Sequence, residues 1–312
     1  MPLAGLPALS MRSWSDNARD FAQAMGESYK RFGFAVVRDH GLDREIIERA
    51  LASTKEFFAL PEETKLRYRI AGGRGQRGYT PFGVEAAKDA QQADLKEFWH
   101  IGRDLPEGHR YRAVLPPNVW PKELPAFRED LAALYHALDA LGAKVLTSIA
   151  LYLDLPGNFF DAPMRDGDSV LRLLHYPPTP PKPAGVRAEA HEDINVITLL
   201  LGAEEAGLQL LTREGRWLDI NPPEGALVVN VGDMLQRLTN HKLPSTTHRV
   251  VNPVAERAHL PRYSIPFFHH FAPDYLIKTL PGCVTSENPD RYPEAITAGD
   301  YLQMRLREIR LA

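Results

Sequence analysis

Sulfur chemistry is nearly absent from this chain. Its one cysteine, Cys283, allows no internal disulfide, so a reducing compartment, the cytoplasm, is expected. Cys283 itself reads as a small packed or loop residue. Long apolar runs are missing too. The longest, near positions 145–155, is interrupted by Thr147, Ser148, Tyr152 and Asp154. It falls short of the roughly 20 residues that a spanning helix needs, so no membrane association is expected. Residues 1–10 have no basic stretch ahead of an apolar core and do not read as a secretory signal. Nor is there an excess of charge of one sign: the formal net charge is −3, which argues against a nucleic-acid surface. Repeats and low-complexity tracts are lacking. The glycine-rich run at 72–78 suggests a phosphate loop, but lacks the Gly-Lys-Ser/Thr ending and a following helix. It reads as a flexible loop near an entrance.

What is present is ordinary globular material, 44% hydrophobic and 25% charged over 312 residues, enough for a large core. Apolar residues at helical spacing predict helices over 16–31, capped by Ser15 or Asp16, and over 44–60. Phe34-Ala-Val-Val37 reads as a buried strand. A long helix over 126–153 carries Leu131, Leu134, Leu138, Leu141, Val145 and Ile149 at spacings of three and four, a core stripe. From Leu171 onward short apolar runs follow one another at 171–176, 194–201, 208–211, 226–231 and 263–268, separated by turns. That rhythm predicts a jelly-roll sandwich or barrel. A last helix over 298–310 starts with Thr297 and Asp300 sharing its first turn. Residues 1–125 form a helical and mixed region and 126–312 the β core, expected as one integrated unit.

His191 and Asp193 form the chain's single His-x-Asp. On a strand, residues two apart share a face, so one imidazole and one carboxylate reach a common point. His248, 57 residues on, is the best third ligand. Two histidines and a carboxylate on one side of a cation leave the other side open, the set associated with iron(II) and oxygen chemistry; manganese or zinc would also suit such ligands. Arg262 and Ser264, the only Arg-x-Ser, would share a strand face. A guanidinium fork and a hydroxyl suit a carboxylate, and a dicarboxylate chelating the metal at its far end would fit between. Tyr176 would offer its hydroxyl from the face of a third strand that also holds Arg172 and Leu174.

Several other residues take structural readings. The adjacent His269 and His270 face opposite ways on a strand and are read as structural, with a turn of one of them to the pocket left open. Asp233 reads as a turn residue before a strand bearing Leu235. The run at 88–97 reads as solvated, with Phe98 and Trp99 returning to the core or the cavity. Arg172 is open between pairing with a carboxylate and entering the pocket.

The chain resembles the isopenicillin-N-synthase-like branch of the iron(II)/2-oxoglutarate dioxygenases. The resemblance spans nearly its whole length: Phe32-Gly-Phe34, Asp39-His-Gly41, the stretch from Phe57 through Pro61, Tyr176-Pro-Pro178, His191-Glu-Asp193, Gly207-Leu-Gln-Leu210, Gly232-Asp233, the surroundings of His248, and Arg262-Tyr-Ser264. It implies a double-stranded β-helix, mainly β with flanking helices. It also implies iron(II) at His191, Asp193 and His248, and 2-oxoglutarate held by Arg262, Ser264 and Tyr176. Oxygen and a small organic substrate complete the reaction, a hydroxylation or desaturation with release of succinate and carbon dioxide. One departure stands out: many members have asparagine where this chain has Leu174. Two rival readings accompany this one. The Arg-x-Ser pair would hold the substrate's own carboxylate with no 2-oxoglutarate, or the chain would be a non-catalytic cupin-like binding protein.

Overall fold

The computed structural model describes residues 6–71, 76–85, 93–180, 183, 185–201 and 207–308. Its larger sheet has eight strands, in spatial order Ala8–Ser10, Phe34–Arg38, Leu227–Val231, Ile197–Leu201, Arg262–His269, Val170–Tyr176, Glu97–Gly102 and Gly78–Thr80. A smaller sheet holds Ala188–His191, His248–Val250, Leu208–Leu211 and Trp217–Asp219 in that order. Only the pairing of Ala8–Ser10 with Phe34–Arg38 is parallel in these two sheets.

Successive side chains of a strand point to opposite faces, and here both faces of the larger sheet are covered. Ala35, Val37, Leu171, Leu173, Leu199, Leu227, Val229, Ile265 and Phe267 enter the main core. Phe34, Val36 and Val228 enter a second core with Ala188, Leu208, Leu210 and Val250 of the smaller sheet. The helix Phe127–Tyr152 supplies the back layer and buries the leucine stripe from Leu131 to Leu141. Residues 1–125 add helices Ala18–Phe32 and Arg44–Ala59 to that layer and four strands to the larger sheet. Sheet and back layer thus draw on both parts of the chain.

Local chemistry explains where elements begin and end. The first long helix starts at Ala18, later than expected, because Asn17 is extended and its side chain accepts from the Arg19 and Asp20 amides at 3.2 and 3.3 Å. Residues 12–16 form a separate short helix. Gly33 ends the long helix at φ 69°, its N–H donating to the Tyr29 carbonyl. A Cβ there would stand 2.1 Å from Thr246 Oγ1, so the turn into Phe34 requires glycine.

Other expectations need correction. Asp233 and Leu235 lie in the helix Asp233–Leu238, not before and in a strand. The glycine-rich positions 72–75, residues 88–92 and the end of the last helix at 309–310 lie outside the described residues. The rest of the supposedly solvated run is buried: Asp94, Lys96 and Glu97 all lie inside, because each finds an opposite charge or hydrogen-bond donor there. The strand ends at His269, so His270 lies just beyond it; Nε2 of His269 bonds Asp139 at 3.0 Å and Nδ1 of His270 faces the Phe268 carbonyl at 3.2 Å.

Asp139 ties the long helix to the end of a central strand. It accepts from both terminal nitrogens of Arg103 at 2.9 and 3.1 Å as well as from His269. Burial alone would raise its carboxyl, but His269 and Arg103 bring it down to about 2 from the usual 3.8. A lowered folded pKa stabilises fully above the unfolded value and is lost as pH falls through the folded one. Asp139→Asn should therefore cost roughly 2 kcal/mol at pH 7. The deficit should shrink between pH 4 and pH 2 in denaturant titrations; a pH-independent deficit would show that the charge is not what matters.

Candidate metal centre and cavity

His191 is the last residue of its strand, and its register partner is His248 on the neighbouring antiparallel strand. Directly opposed residues bring their side chains together, and the two rings lie 4.4 Å apart. Asp193 is not on the strand with His191, contrary to the same-face reasoning. The ladder stops at His191, and a turn carries Asp193 back. Its Oδ1 lies 3.8 Å from Nε2 of each histidine. The three atoms all lie within 4.8 Å of one another, close enough to hold one metal ion together. These are the one group of three or more metal-competent side chains among the described residues.

Each ligand atom is held from behind. His191 Nδ1 lies 2.7 Å from the Glu189 carbonyl and His248 Nδ1 3.1 Å from that of Thr246. A carbonyl only accepts, so Nδ1 carries the proton and Nε2 keeps its lone pair for a cation. Packing around the His191 ring and the facing His248 push the His191 pKa down to about 4, which keeps that imidazole neutral at pH 7. The Asp193 carboxyl would be raised by burial, but His248 and His191 outweigh this and lower it. Its second oxygen accepts from Thr198 Oγ1 at 2.5 Å and Asn230 Nδ2 at 2.7 Å. Phe34 packs edge-on against His248 at 5.4 Å.

The turn bearing Asp193 is clasped by the next helix start. The Asp233 amide donates to the Asp193 carbonyl at 2.7 Å, and the Gly232 and Met234 amides bond Val196 and Asn195. A Cβ on Gly232 would meet the Asn195 carbonyl oxygen at 2.2 Å, so Gly232-Asp233 is a packing requirement of the metal turn. Asp233 also pairs with Arg305 of the last helix at 3.1 Å.

The three ligands face a cavity between the sheets, shared with Arg262, Ser264, Tyr176, Arg172, Leu174 and Lys96. Arg262 is opposite Tyr176 and Ser264 opposite Leu174 across one antiparallel ladder. All four are buried, and the Arg262 guanidinium stands 5.2 Å from the Tyr176 ring centre. Leu174 leaves an apolar gap where a side-chain amide would have donated. Arg172 does both things left open for it: it pairs with Glu85 and lines the cavity. Phe98 packs with Leu174 and Tyr176, whereas Trp99 joins the main core.

Sequence reasoning matched Thr198 to the family without giving it a role, and missed Asn230, Lys96, Asp94 and Glu85. Asp94 bridges the sheets, since Oδ2 accepts from Lys96 at 2.7 Å and Oδ1 from the Glu189 amide at 3.0 Å. The neighbouring Leu95 amide bonds the Val186 carbonyl. The alternation of charge with buried aromatics around Phe98 was the available signal.

Manganese(II) added to metal-free protein should raise its melting temperature, since a ligand of the folded state alone stabilises it. Asn230→Leu should weaken that binding by roughly 10- to 100-fold through the loosened carboxylate. An unmoved melting curve in the unsubstituted protein would remove the site.

Residues 6–123 match the model of the non-haem dioxygenase N-terminal region named for morphine synthesis, and residues 167–271 that of the 2OG-Fe(II) oxygenase superfamily. The chain is 36% identical over 297 residues to the 2-oxoglutarate-Fe(II) type oxidoreductase hxnY of Emericella nidulans, covering 90% of this chain and 84% of that one. A solved 2OG-Fe(II) oxygenase family structure from Caulobacter crescentus superimposes with a TM-score of 0.92 at 59% identity, covering 97% of this chain and 99% of the other. A Neurospora crassa structure in complex with alpha-KG and thymine gives 0.86 at 31% identity, with 98% of each covered. No described helix is long and apolar enough to cross a membrane. The double-stranded β-helix, the dependence on iron(II), oxygen and 2-oxoglutarate, and the oxidoreductase activity follow together: the chain belongs to the 2OG-Fe(II) oxygenase superfamily, in its isopenicillin-N-synthase-like family.

Proposed function

We propose that His191, Asp193 and His248 are the iron ligands of this oxygenase, and that Arg262, Ser264 and Tyr176 hold the far carboxylate of 2-oxoglutarate. The carrying observation is that the Nε2 atoms of His191 and His248 each lie 3.8 Å from one Asp193 oxygen, on a cavity whose lining also presents Arg262 and Ser264. When bound, the iron supplies oxygen activation coupled to conversion of 2-oxoglutarate to succinate and carbon dioxide, with hydroxylation or desaturation of the substrate. The chain's own work is positional. Glu189 and Thr246 fix the imidazole tautomers, Thr198 and Asn230 aim the carboxylate, and Arg262 sets the reach of the cosubstrate from its strand. The ladder between the Arg262 and Tyr176 strands keeps that reach constant.

The thymine complex of the Neurospora relative supports a small organic molecule as the second ligand. The sheet shared by residues 1–125 and 126–312 supports one catalytic unit. A cytoplasmic location completes the reading, supported by the buried free thiol of Cys283, which a reducing compartment preserves.

His191→Ala and Asp193→Ala should each abolish iron retention and succinate release. Iron content and turnover equal to those of the unsubstituted protein would refute the ligand set. Arg262→Gln should retain iron and raise the 2-oxoglutarate concentration for half-maximal turnover by about tenfold or more, the loss of a charge-assisted hydrogen-bond pair. An unaltered requirement would place the cosubstrate elsewhere.

A further inference from the structure

A second pair of cations lines the cavity, and neither iron nor 2-oxoglutarate accounts for it. Lys96 Nζ lies 2.7 Å from Glu85 Oε2 and 2.7 Å from Asp94 Oδ2. The Arg172 fork meets both Glu85 oxygens at 3.2 Å, and its Nε donates to His100 Nε2 at 2.5 Å. Phe98 and Phe268 cover the guanidinium, at 4.3 and 5.1 Å from their ring centres. Burial would raise the Glu85 carboxyl, yet Arg172 and Lys96 hold it far below the usual range. The cluster thus sets two carboxylates against two cations.

Donors are nevertheless left over. A guanidinium has five N–H bonds and an ammonium three. Among the described residues Arg172 uses three and Lys96 two. Both side chains line the cavity. Neither can accept a hydrogen bond, so the complementary group is an acceptor. A carboxylate is a poor match, because Glu85 already fills the fork and displacing it would strand a buried charge. With iron(II), Asp193, Arg262 and both carboxylates of 2-oxoglutarate in place, the remaining cavity charges also cancel. A hydroxyl oxygen also accepts, but its own proton would have to compete for the Glu85 and Asp94 oxygens that Lys96 and Arg172 already engage. A carbonyl oxygen accepts and carries no charge. Phe98 and Phe268 flank Arg172, and Phe34, Leu174, Leu200, Val250 and Pro266 give the same cavity an apolar share.

We propose that Lys96 and Arg172, locked by Glu85 and Asp94, receive a carbonyl oxygen of the substrate, and that the substrate is an uncharged lactam, imide or carboxamide with an apolar body. This rests on the allotment of Arg262 and Ser264 to 2-oxoglutarate. Glu85 is the selector, since its charge turns a cationic wall into a neutral one.

The test presents a library of lactams, imides and carboxamides, each with its carboxylate counterpart, to protein loaded with manganese(II) and 2-oxoglutarate. Melting shifts and calorimetry are read. Neutral members should bind in preference to acids. Arg172→Gln should weaken them about tenfold or more while 2-oxoglutarate affinity stays unchanged. Glu85→Gln should gain affinity for the carboxylate counterparts; it decides the matter alone if Arg172→Gln does not fold. Preference for acids, no neutral carbonyl ligand at all, or unchanged selectivity in both variants overturns the proposal. If Arg172→Gln loses 2-oxoglutarate binding while Arg262→Gln keeps it, the cosubstrate assignment is what fails.

Discussion

The register that sets His191 opposite His248 is the constraint on which the site depends. A slip of one residue would turn every side chain of a strand to the other face, and the two imidazoles would part. The smaller sheet is short, so the apolar contacts of Leu208, Leu210 and Val250 with Phe34 and Val228 of the larger sheet hold that register. Burial there keeps two nitrogen atoms within reach of one cation. Asp193 reaches the same point by a different device, a turn whose carbonyls are gripped by the amides of Gly232, Asp233 and Met234.

The larger sheet serves two masters at once. Its odd and even positions divide between the helical back layer and the cavity, so Leu171 and Leu173 make core while Arg172, Leu174 and Tyr176 face the chemistry. Rigidity needed for positioning therefore comes from the residues between the functional ones. The tie of Asp139 to Arg103 and His269 extends the same arrangement to the long helix.

Much of this could be read from the residues, because the informative patterns were local. The leucine stripe of the long helix, the short strands after Leu171, His191 with Asp193, and Arg262 with Ser264 all carry their message within a few positions. What failed was non-local or rested on side-chain geometry. The shared strand face proposed for His191 and Asp193 was wrong in mechanism, although the two residues do converge. Asp233 was placed before a strand because nothing nearby announces that its amide grips Asp193. The charged stretch ending at Glu97 looked solvated, since the partners of Glu97, Lys65 and His175, lie far away in sequence and the pairing of Lys96 with Asp94 and Glu85 rests on side-chain geometry. Thr198 and Asn230 stand in apolar runs and become meaningful only when the sheet brings both to one carboxylate oxygen.

Asp94 grasps Lys96 on one side and the Glu189 amide on the other, stitching the two sheets at one rim. Spreading them there would strip partners from a buried carboxylate and a backbone amide together. That rim is a fixed jamb. His191, in the smaller sheet, keeps 35% of its side chain open to solvent.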